Sequence, residues 1–129
     1  MNKPPGGGDR GAATTQLVIL TPVLLLLLLL CVQFALAWHG QHIAQSAASR
    51  GLAAARARDG TQDTGAATAR TTLRSTGGHV LRGPKVNVER TATAASVEVR
   101  ATVLPVIPGL HLHVRGHAVG PVERFATPR

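Results

Sequence analysis

Histidines near the C-terminus have the residue type and spacing that could bind a metal ion. His111, His113 and His117 fall on one face of a segment in which apolar and polar residues alternate, and imidazoles two residues apart can share a Zn²⁺ or Cu²⁺ ion. The segment has no cysteine or carboxylate, and His79 is the only other histidine in the predicted β-rich region. We therefore predict solvent-facing histidines on a half-buried strand, with no metal and no cofactor, and keep a metal-binding strand as the alternative.

Side chains that serve as nucleophiles or general acids occur without the neighbours that catalysis requires. Ser75 and Ser96 do not lie in a G-x-S-x-G sequence, and the carboxylates are dispersed along the chain. The glycine run at 6–8 is not followed by the lysine-bearing helix start of a phosphate loop. The single cysteine, Cys31, cannot form a disulfide framework or a metal cluster. We expect a protein that is not an enzyme.

An uncharged apolar run dominates the chain. Residues 17–37 are apolar except for Thr21, Pro22 and Gln33, and about 20 apolar helical residues cross the roughly 30 Å hydrocarbon core of a bilayer. We predict a transmembrane helix over residues 12–38, with membrane lipid as its partner. Pro22 removes one backbone hydrogen bond from this helix, so a kink or a local loosening is expected there.

The residues before this run set its expected orientation. Segment 1–11 is rich in proline and glycine, carries Lys3 and Arg10, and has too few apolar residues to bury, so we expect a disordered cytoplasmic leader. The protein is then a single-pass protein of the cell membrane with an extracytoplasmic C-terminal domain. The formal net charge of +8 comes mainly from dispersed arginines without interleaved aromatic residues, which indicates a solvated basic surface and no nucleic-acid binding.

Beyond the membrane, residues 39–78 form an Ala/Arg-rich region with helical character. Residues 39–58 are rich in alanine, the best helix former, so we expect the membrane helix to continue through them until Asp59-Gly60 stops it. A second helix is predicted over residues 63–75. The first of these helices carries a thin apolar stripe, formed by Ile43, Ala47, Ala48, Leu52 and Ala54.

In the last region, residues 79–129, the spacing of apolar residues changes from a helical period to alternation. Residues 86–90, 96–103 and 110–119 alternate apolar and polar side chains, which is typical of half-buried strands in an antiparallel sheet. Prolines at 105 and 108 predict a loop, and not a tight hairpin, between the last two strands. The predicted fold class is α+β: a long N-terminal transmembrane helix that continues into a small exported domain with a short antiparallel sheet.

Two processing events are compatible with the apolar run. Ala35-Leu36-Ala37 has the form of a signal peptidase site, which would release a secreted protein beginning at Trp38. The run is longer than the 7 to 15 or so residues of a signal-peptide core, however. Cleavage between Gly11 and Ala12 would instead remove the cationic leader and leave the apolar helix on the mature protein.

The second event is supported by a family resemblance. Arg10, Gly11, Ala12, Gln16 and Leu17, followed by an apolar run with an early proline, resemble the N-terminus of TadE-like proteins, the pseudopilin-like components of bacterial tight-adherence (Flp-type) pilus systems. The Ala/Arg-rich helix, the later Pro-Gly loop and the closing Pro-Val-Glu-Arg-Phe sequence at 121–125 also resemble members of this family.

This resemblance implies a function and a set of partners. It implies a structural, non-catalytic pseudopilin component of a pilus or secretion-type assembly, cut at Gly11-Ala12 by a prepilin-type peptidase and associated with other pilus-assembly subunits. Where the family usually has glutamate, the chain has Gln16, so packing through a charge pair is not implied. The alternative is a single-pass anchored or secreted binding protein unrelated to pili.

Overall fold

The computed structural model describes the backbone of residues 6–123 and the side chains of residues 11–123. Two helices are followed by three strands, which confirms the predicted α+β arrangement. Helix α1 spans Gly6–Arg56 and helix α2 spans Gln62–Gly77. The strands are β1, Leu81–Arg90, β2, Ala94–Val103, and β3, His113–Pro121.

Helix α1 is a single element of 51 residues. It continues without interruption past Pro22, and whether its axis bends there stays a prediction. The prediction of a disordered leader is wrong for residues 6–11, because helical hydrogen bonding extends from the apolar run back to Gly6; residues 1–5 lie outside the described part. The predicted stop is close to the observed one, and the amide of Gly60 donates to the carbonyl oxygen of Ala57 at 2.8 Å.

Helix α2 contains the predicted second helix and adds a residue or two at each end. Thr61 caps its N-terminus: the hydroxyl of Thr61 accepts from the amide of Thr64, and the hydroxyl of Thr64 accepts from the amide of Thr61. This reciprocal capping box satisfies two backbone groups that would otherwise have no partner. Its inner face buries Ala69 and Leu73.

The strands form one antiparallel sheet in the order β1-β2-β3. The prediction began β1 at residue 86, but a bulge between Arg82 and Lys85, with Gly83 at a φ of +57°, lets the strand pass Pro84 and begin earlier. The predicted start of β3 at residue 110 is also wrong, because residues 104–112 belong to the loop between β2 and β3. That loop confirms the expectation drawn from the two prolines.

The core lies between the helices and one face of the sheet. The predicted inner face of β2 is confirmed, since Val97, Val99 and Val103 are fully buried and Ala101 is nearly so. Valine and alanine supply most of this core, so each residue contributes little buried area. Alongside these strand residues, α1 contributes the buried side chains of Ile43, Ala44, Ala47, Ala48, Leu52 and Ala55.

Small residues set the distance between the elements. A Cβ on Gly65 of α2 would lie 2.7 Å from the Cβ of Ala55 on α1, and a Cβ on Gly116 of β3 would lie well inside contact distance of the Ala44 carbonyl oxygen. At both places the backbones approach closer than any side chain permits. The Ala/Gly content of residues 39–78 therefore serves packing as well as helix formation.

Candidate functional site

The first half of α1 is apolar and exposed. Leu17, Val18 and Ile19 are each more than 60% exposed, and the large apolar side chains from Leu20 to Leu29 are also exposed. Soluble monomers rarely show a contiguous apolar surface of this extent. Among the described residues, α1 is the one helix long and apolar enough to span a membrane.

The predicted processing residues lie at the front of this surface. Gly11, Ala12 and Gln16 are exposed on α1, and a side chain added at Gly11 would meet no atom within 4 Å. The hydroxyl of Thr15 donates to the carbonyl oxygen of Gly11 at 3.0 Å, within the helix. Cleavage between Gly11 and Ala12 stays a prediction.

Gln33 marks the place where the apolar helix meets the small domain. Its side chain is fully buried; its amide nitrogen donates to the carbonyl oxygen of Leu104 at 3.2 Å, and its oxygen accepts from the amide of Val106 at 2.7 Å. A longer contact of 3.4 Å joins the same oxygen to the amide of Ile107. The polar residue that interrupts the run thus holds the β2–β3 loop against α1.

Two further glutamines of α1 bind the free edge of β3. The side-chain amide of Gln41 donates to the carbonyl oxygen of Arg115 at 2.6 Å and accepts from its amide at 3.1 Å. Gln45 does the same with His117, at 3.0 and 3.2 Å. Four residues of helix rise about 6 Å and two residues of strand about 6.7 Å. The spacing of the two glutamines along α1 therefore matches the spacing of their partners along β3. An edge strand left open is a template for unwanted pairing, and these amides occupy it.

The outer face of the sheet carries charge. Glu98 on β2 is ion-paired with its neighbour Arg100 and with Arg115 of β3, the latter at 3.2 Å. The hydrogen bond from Arg100 lowers the pKa of the Glu98 carboxyl, and the nearby charges of Arg100, Arg115 and His117 act in the same direction. This face is open to solvent.

The candidate metal ligands are not brought together as a site. His113 and His117 are exposed on the outer face of β3, as predicted, but His111 lies in the loop before the strand. Across the described side chains, no group of three histidines, cysteines or carboxylates is arranged to hold a metal ion. The period-two pattern therefore predicted the faces correctly and the start of the strand incorrectly.

Sequence reasoning missed the three glutamines that join α1 to the rest of the fold. In the sequence, Gln41 and Gln45 are polar positions beside the apolar stripe of the helix, and Gln33 is an exception within an apolar run. The one signal available in the sequence is the four-residue spacing between Gln41 and Gln45. Their partners are more than 70 residues away in the chain, so no local pattern identifies them.

Comparison with known proteins identifies the segment that contains these features. The family profile of TadE-like proteins matches residues 11–52, which begins at the predicted processing residue Gly11 and covers most of the rest of α1. No match was found among curated proteins or solved structures. TadE-like proteins are membrane-associated and belong with other components of tight-adherence pilus assembly. The match confirms the resemblance seen in the sequence: residues 11–52 of the chain are similar to TadE-like proteins.

Proposed function

We propose that the chain is a non-enzymatic, pseudopilin-like subunit of a tight-adherence pilus or a related secretion assembly. The observation that carries the proposal is the coincidence of the family match over residues 11–52 with a helix whose first half is exposed and apolar. The second half of the same helix is packed into the domain. One rigid element thus joins a membrane segment to an exported domain.

In this proposal, peptidase cleavage at Gly11-Ala12 removes the cationic leader on the cytoplasmic side. The exposed leucines then pack laterally, first against lipid and afterwards against similar helices of neighbouring subunits. Pro22 lies in this packing segment and removes one helical hydrogen bond. Gln16 offers a neighbour hydrogen bonds without a charge, which avoids burying an unpaired carboxylate.

The anchored form is favoured over the secreted one by contacts that residues before and within the signal peptidase-like sequence make with the domain. Cleavage after Ala37 would remove Gln33, whose side chain binds the β2–β3 loop. It would also remove Leu36 and Ala37, both of which pack against the core. A secreted protein beginning at Trp38 would therefore lose part of its own fold.

The test is the N-terminus of the mature protein in cells that contain the cognate prepilin-type peptidase, determined by intact-mass spectrometry. The expected mature chain begins at Ala12. A Gly11→Val variant is the matched control: it blocks recognition without disturbing packing, since no atom lies within 4 Å of an added Cβ. A wild-type chain that still begins at Met1 refutes the pseudopilin role, and one that begins at Trp38 establishes the secreted alternative.

A further inference from the structure

Contacts with α1 show how far each part of the domain lies from the apolar segment, measured along the helix axis. The β2–β3 loop, residues 104–112, is bound at Gln33. Gly40, about 10 Å further along at 1.5 Å per residue, faces Leu81 and Val103. Arg56, about 35 Å along, accepts a hydrogen bond at its carbonyl oxygen from the amide of Glu123. The β2–β3 loop is therefore the end of the domain nearest the membrane segment.

The length of the membrane segment puts this loop at the bilayer surface. A helix needs about 20 residues to cross the hydrocarbon core. Counted from Ala12, the core ends about two residues before Gln33, and the loop then lies in the headgroup region. Counted from Leu17, the core ends about three residues beyond Gln33, and the loop then reaches the acyl chains. With either starting point the loop lies at the level of the lipid.

The chemistry of the loop suits that position. Residues 104–108 contain no charged side chain, and Val106 and Ile107 are only half-buried by the domain. On α1, Phe34 next to Gln33 is 63% exposed, and Trp38, about 7.5 Å further along, is 72% exposed. Tryptophan is enriched where membrane meets water, and Trp38 fits that pattern.

Acidic side chains are distributed along the domain in the same sense, whereas basic side chains occur in both halves. Arg82 pairs in register with Thr102, next to Val103 and hence near the level of Gly40. The next row across the sheet contains three cations, Lys85, Arg100 and Arg115. In this half of the domain the one acidic residue described is Glu98, which is paired with two of these arginines. The other described acidic residues after the apolar run lie towards the far end: Asp59, Asp63, Glu89 and Glu123.

We propose that the loop end of the domain is a lipid-binding surface that rests in the extracytoplasmic leaflet. Val106 and Ile107 lie at the boundary of the acyl chains, and Arg82 and Lys85 contact the phosphates of anionic lipid headgroups. The polar layer of a bilayer adds about 5 to 8 Å on each side of the hydrocarbon core, within reach of long basic side chains about 10 Å above Gln33. The inference rests on the proposed membrane insertion of α1 and adds a fixed orientation of the domain on the bilayer.

Spin labelling of the full chain in lipid vesicles tests this surface. On a Cys31→Ser background, a nitroxide is attached at Ile107→Cys in the loop, Leu26→Cys in the apolar half of α1, or Ala53→Cys near the far end. Collisions with oxygen, which concentrates in lipid, and with a water-soluble nickel chelate report the depth of each label. In vesicles of phosphatidylcholine and phosphatidylglycerol, we expect the Ile107 label to favour oxygen, as the Leu26 label does, and the Ala53 label to favour nickel.

The outcomes separate the two proposals. If the Leu26 label favours oxygen while the Ile107 label behaves like the Ala53 label, the lipid-binding surface is refuted and the membrane role of α1 stands. If the Leu26 label itself favours nickel, the membrane role fails, and the lipid-binding surface fails with it.

Headgroup binding is tested with the same loop label. In vesicles with phosphatidylglycerol, an Arg82→Gln/Lys85→Gln variant should increase the nickel accessibility of the Ile107 label several-fold. Replacing phosphatidylglycerol with phosphatidylcholine should have a similar effect on the wild-type chain. The matched control is Arg50→Gln, an exposed arginine of α1 about 25 Å above Gln33, which should leave the accessibility unchanged. Equal accessibility for the double variant and wild type in both lipids refutes the role of the basic residues.

Discussion

Replacing Gln33 with leucine should release the β2–β3 loop while leaving α1 intact. The substitution keeps a side chain of similar size but removes the partners of the Leu104 carbonyl and the Val106 amide. A buried polar group without a partner costs about 1 to 3 kcal/mol. Since these bonds are only partly buried, the lower part of that range applies, and the two together favour loop opening by about 2 to 4 kcal/mol.

Amide hydrogen exchange of the full chain in detergent micelles measures this local opening. A free-energy change of about 1.4 kcal/mol corresponds to a factor of ten, so exchange at Val106 should become roughly 30- to 700-fold faster. Exchange in the core strand β2 should change far less, because the loop can open without unfolding the sheet.

Two other glutamines of α1 provide matched controls. Gln16→Leu alters an exposed glutamine far from the loop and should leave exchange at Val106 unchanged. Gln45→Leu removes bonds at an exposed strand edge, where water replaces them, so exchange at His117 should rise less than about five-fold. Unchanged exchange at Val106 in the Gln33→Leu variant would show that the buried amide does not hold the loop.

Two further predictions concern packing and charge in the domain. Gly116→Ala should destabilise the fold by about 2 kcal/mol or more in chemical denaturation, because the added methyl group overlaps the Ala44 carbonyl oxygen and overpacks the core. Gly120→Ala should be tolerated, since its nearest neighbour is a flexible side chain at 3.3 Å; equal effects would refute this packing argument. The lowered pKa of Glu98 predicts a stability contribution that is present above its ordinary value of 4.5 and lost as the pH falls through the folded value. When the midpoint of unfolding is plotted against pH, Glu98→Gln should reduce the loss of stability at acid pH. An unchanged loss would show that the Glu98–Arg100 pair does not cause it.

Part of the architecture follows from local sequence patterns. The uncharged leucine run predicts a long exposed helix, because length and lack of charge are local properties. The alternation of valines in β2 predicts its buried face, since successive side chains of a strand point to opposite sides. The residues around Gly11 indicate the family without any knowledge of the fold. The closing sequence at 121–125 also contributed to the resemblance, but residues 124 and 125 lie outside the described part.

Only the tertiary structure decided how the helix and the sheet are joined. Gln33, Gln41 and Gln45 are polar residues on a helix, and hydropathy assigns such residues to solvent or to isolated exceptions. Their partners are backbone groups of a loop and an edge strand more than 70 residues away. A hydrogen bond to a distant backbone group leaves no periodic trace in the sequence, because backbone donors and acceptors are the same at every residue except proline. For that reason the helices and strands can be predicted from the sequence. The place where the domain meets the apolar helix is set by long-range hydrogen bonds that only the tertiary structure shows.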